Sequence, residues 1–156
     1  MLSRPVPVAG IQRLRHRRGG AMLELVVAMP LLVLLCIGVM DYGRVYFTSV
    51  AVSNAARAGA EWGITYPAYA FDPARQQSFA KLDGAEAGTI TVTSSTVCRC
   101  AATTVSCGST TVCGSGYGEP RVFVTVTASK NVAMLLTYPG LPSTISIVRS
   151  ATFRAQ

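Results

Sequence analysis

Between Ala21 and Met40 the chain reads AMLELVVAMPLLVLLCIGVM, twenty residues that carry a single charge, Glu24, near their start. As a helix rising about 1.5 Å per residue, this run spans about 30 Å, the hydrocarbon thickness of a bilayer. Leu, Val and Ile fill 11 of its positions. They contribute roughly 4 kcal/mol of insertion free energy, against about 3 kcal/mol for one acid placed at the centre of a span. Glu24 lies near the end, so insertion wins. A buried core helix of this length would need a domain large enough to surround it, and 156 residues leave too little chain for that. The run is therefore expected to cross a membrane, with one modest domain attached.

Charge then orients the span. The formal charge is +7, but Arg4, Arg13, Arg15, Arg17 and Arg18 supply +5 of it before Gly19, and the remaining 9 basic and 7 acidic side chains leave a nearly neutral body. Such a body has no electrostatic footprint for nucleic acid, and no aromatic residues interleave with the basic ones. The arginines and His16 crowd the entry to the apolar run, which places the N-terminus in the cytoplasm and exports everything from Asp41 onward. A secretory signal peptide shares the basic-then-apolar order, but its apolar region is about 7 to 15 residues long and ends at a small-x-small cleavage site. Here the run is longer and continues into DYGRVYF, so removal after it is not expected.

Export agrees with the cysteines. Cys36 lies inside the apolar run as a small packing residue, whereas Cys98, Cys100, Cys107 and Cys113 cluster in a Ser/Thr/Gly-rich segment. Four cysteines allow three pairings. A nested arrangement, Cys100 with Cys107 and Cys98 with Cys113, is favoured for a hairpin, and a bridge within Cys98-Arg99-Cys100 would be strained. Zinc is the competing reading, but zinc sites favour paired C-x-x-C spacings and an exported segment favours oxidation. No metal is expected.

The organisation reads as a basic leader over residues 1–19, a long helix over 20–64 and an exported α+β head over 65–156. The helical pattern continues beyond Met40 through RVYFTSVAVSNAARAGAEWG, which is proline-free and alanine-rich, to about Gly63. Ala51, Ala55, Gly59 and Gly63 recur every four residues and form a small-residue seam. Either a neighbouring helix or the head's own sheet can approach closely along it. Residues 74–87 suggest a short second helix between Asp72 and Gly88. From Thr89 the period changes to two. TITVTSSTV, RVFVTVTAS and STISIVRSATFRA predict three strands of an antiparallel sheet, giving an α+β fold. The GSGYG stretch at 114–118 precedes a strand with no Lys-Ser/Thr after it, so it reads as a turn and not a phosphate loop. TYPGLP, with Pro139 and Pro142 around Gly140, is a turn into the last strand.

Catalytic constellations are scarce. His16 is the only histidine and lies in the leader, which removes Ser-His-Asp, Cys-His and histidine-metal chemistry from the head. Asp83 and Glu86 can share a helical face, but an exposed acidic pair is ordinarily a solvated surface. No P-loop, H-E-x-x-H or dinucleotide fingerprint occurs. No enzyme activity and no cofactor are expected.

The segment from Arg17 to Ala60 carries an Arg-Gly entry, a glutamate followed by an apolar run with an early proline (Pro30), the exit Asp41-Tyr42-Gly43-Arg44, and Asn-Ala-Ala-Arg-x-Gly-Ala at 54–60. In that order these elements resemble the TadE-like family, minor pseudopilins of the tight-adherence (Tad/Flp) type IV pilus system. The resemblance implies a bacterial inner-membrane protein that passes the membrane once, with its C-terminal domain periplasmic or extracellular. Its expected role is in assembling or priming an adherence pilus, with a prepilin peptidase, other Tad assembly proteins and pilins as partners. It also implies cleavage between Gly19 and Gly20, since that cut makes Glu24 the fifth mature residue. The new amine of Gly20, on the same or a neighbouring helix, can then pair with the Glu24 carboxylate and favour one axial register between subunits. Alternatively, Glu24 snorkels to the cytoplasmic interface. Pro30 is tolerated in a membrane helix and is expected to kink or locally open it. The competing reading is an uncleaved single-pass anchor that carries an exported binding module.

Overall fold

The computed structural model of the chain describes residues 17–65, 69–108, 113–114, 118–136, 140 and 142–155. Arg4, Arg13, Arg15, His16, Pro139 and the middle of the 114–118 turn lie outside them. Two units divide between Met40 and Asp41. The elements are α1 (Arg17–Thr65), α2 (Pro73–Asp83) followed by a 3-10 turn (Gly84–Ala87), then β1 (Thr91–Cys100), β2 (Thr103–Val105), β3 (Arg121–Ala133) and β4 (Thr144–Arg154). A long apolar helix followed by a small antiparallel sheet and a short helix is the expected α+β architecture.

Local chemistry explains the boundaries. Helix α1 is described to Thr65, and the sequence places Pro67 two residues further on. Asp72 caps α2 by accepting the Arg75 backbone N–H at 3.1 Å, and Pro73 occupies the first turn, where its missing donor costs nothing. The second helix was expected to reach residue 87, but the α-helical part ends at Asp83. Gly84 turns its N–H back to the carbonyls of Ala80 and Leu82, and the last turn tightens to 3-10.

The sheet is antiparallel in the order β2-β1-β3-β4, one strand more than the periodicity predicts. The extra strand, β2, comes from the cysteine segment, which folds back on β1. One sheet face is helix-covered, and on it lie Val92 and Cys98 of β1, Val122, Val124, Val126, Ala128 and Val132 of β3, and Ile147 of β4, all buried. The opposite face is open and rich in Ser and Thr, as the alternating burial along β3 shows. Across it Thr125 and Thr152, cross-strand partners, share a hydroxyl hydrogen bond of 2.8 Å.

Two disulfides staple β1 to the chain beyond β2, and their pairing corrects the nested expectation. The bridges are Cys98–Cys107 and Cys100–Cys113, with Cα–Cα distances of 5.2 and 5.5 Å. Register is the reason. Cys100 pairs with Thr103 and Cys98 with Val105, so the chain reverses at Ala101-Ala102, where Ala101 adopts φ 54°. Nesting needs a reversal midway between Cys100 and Cys107. The earlier turn instead carries Cys107, two residues past Val105, up beside Cys98. With all four sulfurs in bridges, no thiolate is left in this cluster to hold zinc.

The connectivity has a direct chemical test, because trypsin cuts after Arg99 and separates Cys98 from Cys100. In Cys107→Ala, denatured and alkylated without reduction, the label is expected on the peptide that ends at Arg99. Nested pairing would put it on the peptide that begins at Cys100. Loss of the 9-residue bridge is expected to lower head stability by about 2 to 3 kcal/mol, read from thermal unfolding.

Candidate functional site

The first unit's chemistry is that of one apolar helical stretch. Within α1, the stretch from Met22 is long and apolar enough to cross a membrane, with a window of mean hydropathy 2.6. Its large side chains, among them Leu23, Val26, Val27, Leu31 and Leu35, are exposed. An aqueous surface of this kind is unfavourable, and a hydrocarbon solvent satisfies it. Gly19 and Gly20 lie within α1 near its N-terminal end, and Gly20 has open space where a Cβ would stand. Glu24 follows one turn later and is exposed. Pro30 sits inside the continuous helix, where it cannot donate to the Val26 carbonyl. Around it Leu25, Val26, Met29 and Val33 line a shallow apolar depression.

In the second unit the decisive residue is Asp41, which immediately follows the apolar run. Sequence reading uses it only as part of the Asp-Tyr-Gly-Arg exit. Its carboxylate accepts the backbone N–H of Leu135 at 3.0 and 3.1 Å and that of Leu136 at 3.4 Å, while Arg44 lies 3.7 Å away, one helical turn on. Asp41 is 4% exposed. A buried carboxylate is tolerable when donors surround it, and here it takes up two amides that β3 leaves unpaired at its end. The available signal was an acid at the edge of the run, in mid-helix and therefore not acting as an N-cap. That signal shows the position must find donors, but not that they come from the β3–β4 connection.

The small-residue seam faces the protein's own head. A Cβ on Gly59 would meet the Gln76 carbonyl oxygen at 2.8 Å, Ala80 Cβ at 2.9 Å and Val126 Cγ1 at 3.2 Å. On Gly63 it would meet the Gln76 side-chain nitrogen and Val124 Cγ1, each at 2.9 Å. Ala55 is fully buried beside Gly84, and Ala51 is buried too. Of the two arrangements the seam allowed, it is the intramolecular approach of helix to sheet that the head contains. Gln76, 1% exposed, is the polar key of this packing. Its amide donates to the carbonyls of Tyr69 (2.6 Å) and Ala70 (3.1 Å), and its oxygen accepts from the Ser94 hydroxyl on β1. Trp62 stacks on Phe79 with centroids 3.7 Å apart, closing the end of α1 against α2. Asp83 and Glu86 are both exposed. Among the described residues no three His, Cys, Asp or Glu side chains converge as a metal site requires.

Substitutions at Asp41 and along the glycines of α1 probe this geometry. Asp41→Ala is expected to destabilise the head by about 2 to 3 kcal/mol, because it strips a charged acceptor from two amides. Faster hydrogen exchange at Leu135 and Leu136 would report the loss, and Asp41→Asn should restore part of the protection. Gly59→Ala should cost about 1 to 2 kcal/mol through overpacking against a backbone oxygen, despite alanine's better helix propensity. Gly43→Ala, with nothing within 4 Å, should leave the melting temperature unchanged or raise it.

Comparison with known proteins gives one match. No curated protein and no solved structure matches the chain. Residues 19–61 match the model of the family described as TadE-like protein. The match begins at Gly19 and takes in Glu24, Pro30, Asp41 and the Asn54–Ala60 segment, the positions on which the resemblance rests. It suggests involvement in the Tad pilus system. Residues 19–61 of this chain are thus similar to the TadE-like family.

Proposed function

We propose that the protein is a minor pseudopilin-like component of a Tad/Flp adherence pilus, processed by a prepilin peptidase between Gly19 and Gly20 and active without catalytic turnover of its own. The TadE-like match over 19–61, on a helix whose apolar stretch holds Glu24 as its single charge, is the observation that carries this reading. The N-terminus faces the cytoplasm, α1 spans the inner membrane once, and the head is exported. Cleavage removes the +5 leader and creates an amine at Gly20, one helical turn from Glu24. A carboxylate in an apolar bundle is costly unless paired, so the amine–carboxylate contact would favour one axial register among packed helices.

Several features support this reading. Exposed apolar side chains around the first unit's helix give partner helices a surface to pack on within the bilayer. The depression at Pro30, lined by Leu25, Val26, Met29 and Val33, is part of that apolar surface. The seam at Ala51, Ala55, Gly59 and Gly63 is used within the head. Contacts with pilins and assembly proteins would then fall to the apolar part of α1 and to the exposed surfaces of the head.

The test is co-expression with a prepilin peptidase, followed by intact mass and N-terminal sequencing of the membrane fraction. A chain beginning at Gly20, lost in Gly19→Leu, is expected. An intact Met1 chain in the presence of active peptidase would reject processing and favour the uncleaved anchor with an exported binding module. In the same strain Glu24→Ala should still be cleaved yet recover less pilus-assembly protein on co-purification, and unchanged recovery would rule out the charge-pairing role.

A further inference from the structure

Just past the end of β3, Leu135 and Leu136, whose backbone is bonded to Asp41, present exposed apolar side chains. Asp41 stands one residue beyond the apolar run, about 1.5 Å further along the helix axis. Its carboxylate holds the backbone of Leu135 and Leu136 at 3.0 to 3.4 Å. The leucine side chains are not used to build the core. Leu135 is 58% exposed and Leu136 is 41% exposed. The stretch around them, residues 133–142 (AMLLTYPGLP), holds no charged residue. On the helix just past Asp41, Tyr42 and Tyr46 are also exposed, with ring centroids 6.4 Å apart. Tyrosines at the end of an apolar span are the composition of the membrane–water interface.

A lipid interface would account for these observations together. The polar zone on each side of a bilayer is about 5 to 8 Å deep beyond the hydrocarbon. A backbone segment hydrogen-bonded to the first residue outside the span lies within that depth. Two exposed leucines there are costly in water, and they are favourable at the boundary between headgroups and acyl chains. The absence of charge along residues 133–142 gives a charged protein surface nothing to recognise and imposes no penalty on shallow burial.

We infer that Leu135 and Leu136, just past the end of β3, form a second membrane contact in the exported-side lipid interface. This rests on the membrane-spanning reading of α1. Asp41 is the device that makes it possible, since its carboxylate satisfies the loop amides that water or lipid headgroups would otherwise have to satisfy. The contact would fix the head's attitude on the membrane surface, because two points of attachment restrict the rotation that one helix leaves free.

The test uses the full chain in vesicles of phosphatidylethanolamine and phosphatidylglycerol that contain a nitroxide-bearing lipid. An environment-sensitive fluorophore is attached at Leu135→Cys in a Cys36→Ala background, with Leu136→Cys as an independent second position. Both amides that bind Asp41 belong to the backbone and survive these changes. Lys81→Cys is the water-exposed control, since α2 packs at the level of Gly59, about 27 Å along α1 from Asp41. Native Cys36 labelled in the otherwise unaltered chain reports the span itself. Lipid quenching at 135 and 136 at least threefold above that at 81 is expected. Quenching at Cys36 with none above the control at 135 or 136 overturns the loop contact and leaves the span intact. No quenching at any of the three rejects the span and, with it, the contact.

Discussion

The head depends on how closely helix α1 can approach β3. Gly59 and Gly63 leave no room for even a methyl group between the helix backbone and the valines and Gln76 opposite, and Ala55, Ala56 and Ala60 extend the same surface. With the backbones this near, small side chains can still fill the interface. The core consequently consists mostly of valine and alanine, with no buried Leu, Phe or Trp among its members. Dense packing of many small groups gives dispersion contacts that larger side chains would otherwise supply. Disulfides then secure the end of the sheet beyond β1, where the cysteine segment adds little apolar area.

A single helix thus serves two solvents in succession. Its first stretch presents large aliphatic side chains outward, whereas its second hides alanine and glycine on one side and exposes Tyr46, Phe47 and Val50, then Asn54, Arg57 and Glu61, on the other. The change occurs at Asp41, which cannot be left in hydrocarbon or buried without donors. Two backbone amides from a segment 94 and 95 residues further along the chain resolve the conflict. A residue that would otherwise be a liability thereby becomes the closure of the domain.

Much of this was legible in the residues. Hydropathy and length identify the long apolar helix because they depend on side-chain composition alone, and strict alternation identifies β1, β3 and β4 because each buries one face. The cap at Asp72 follows from the same local logic. What was hidden depends on pairing at a distance. The extra strand β2 and the bridge pattern follow from a reversal at Ala101-Ala102, a dipeptide with none of the usual turn residues. Gln76 looks like an ordinary surface residue of a short helix until the loop at Tyr69 and Ala70 and the β1 serine supply its partners. The seam was visible as a pattern, but which surface it served could be decided only by seeing the sheet.

Contacts from Asp41 to Leu135, from Gly59 to Val126 and from Gly63 to Val124 show α1 and β3 running antiparallel over most of their shared length. A subunit drawn by its anchor would receive tension where the chain leaves the apolar run, at Asp41. The backbone of α1 would carry the pull onward, while the charge-assisted bonds at Asp41 couple part of it to the end of β3 and so to the strands on both sides. Strands loaded along their length resist as a group, because their cross-strand hydrogen bonds are sheared together and not peeled one by one. The geometry that closes the core would therefore also make the head a mechanically stiff body.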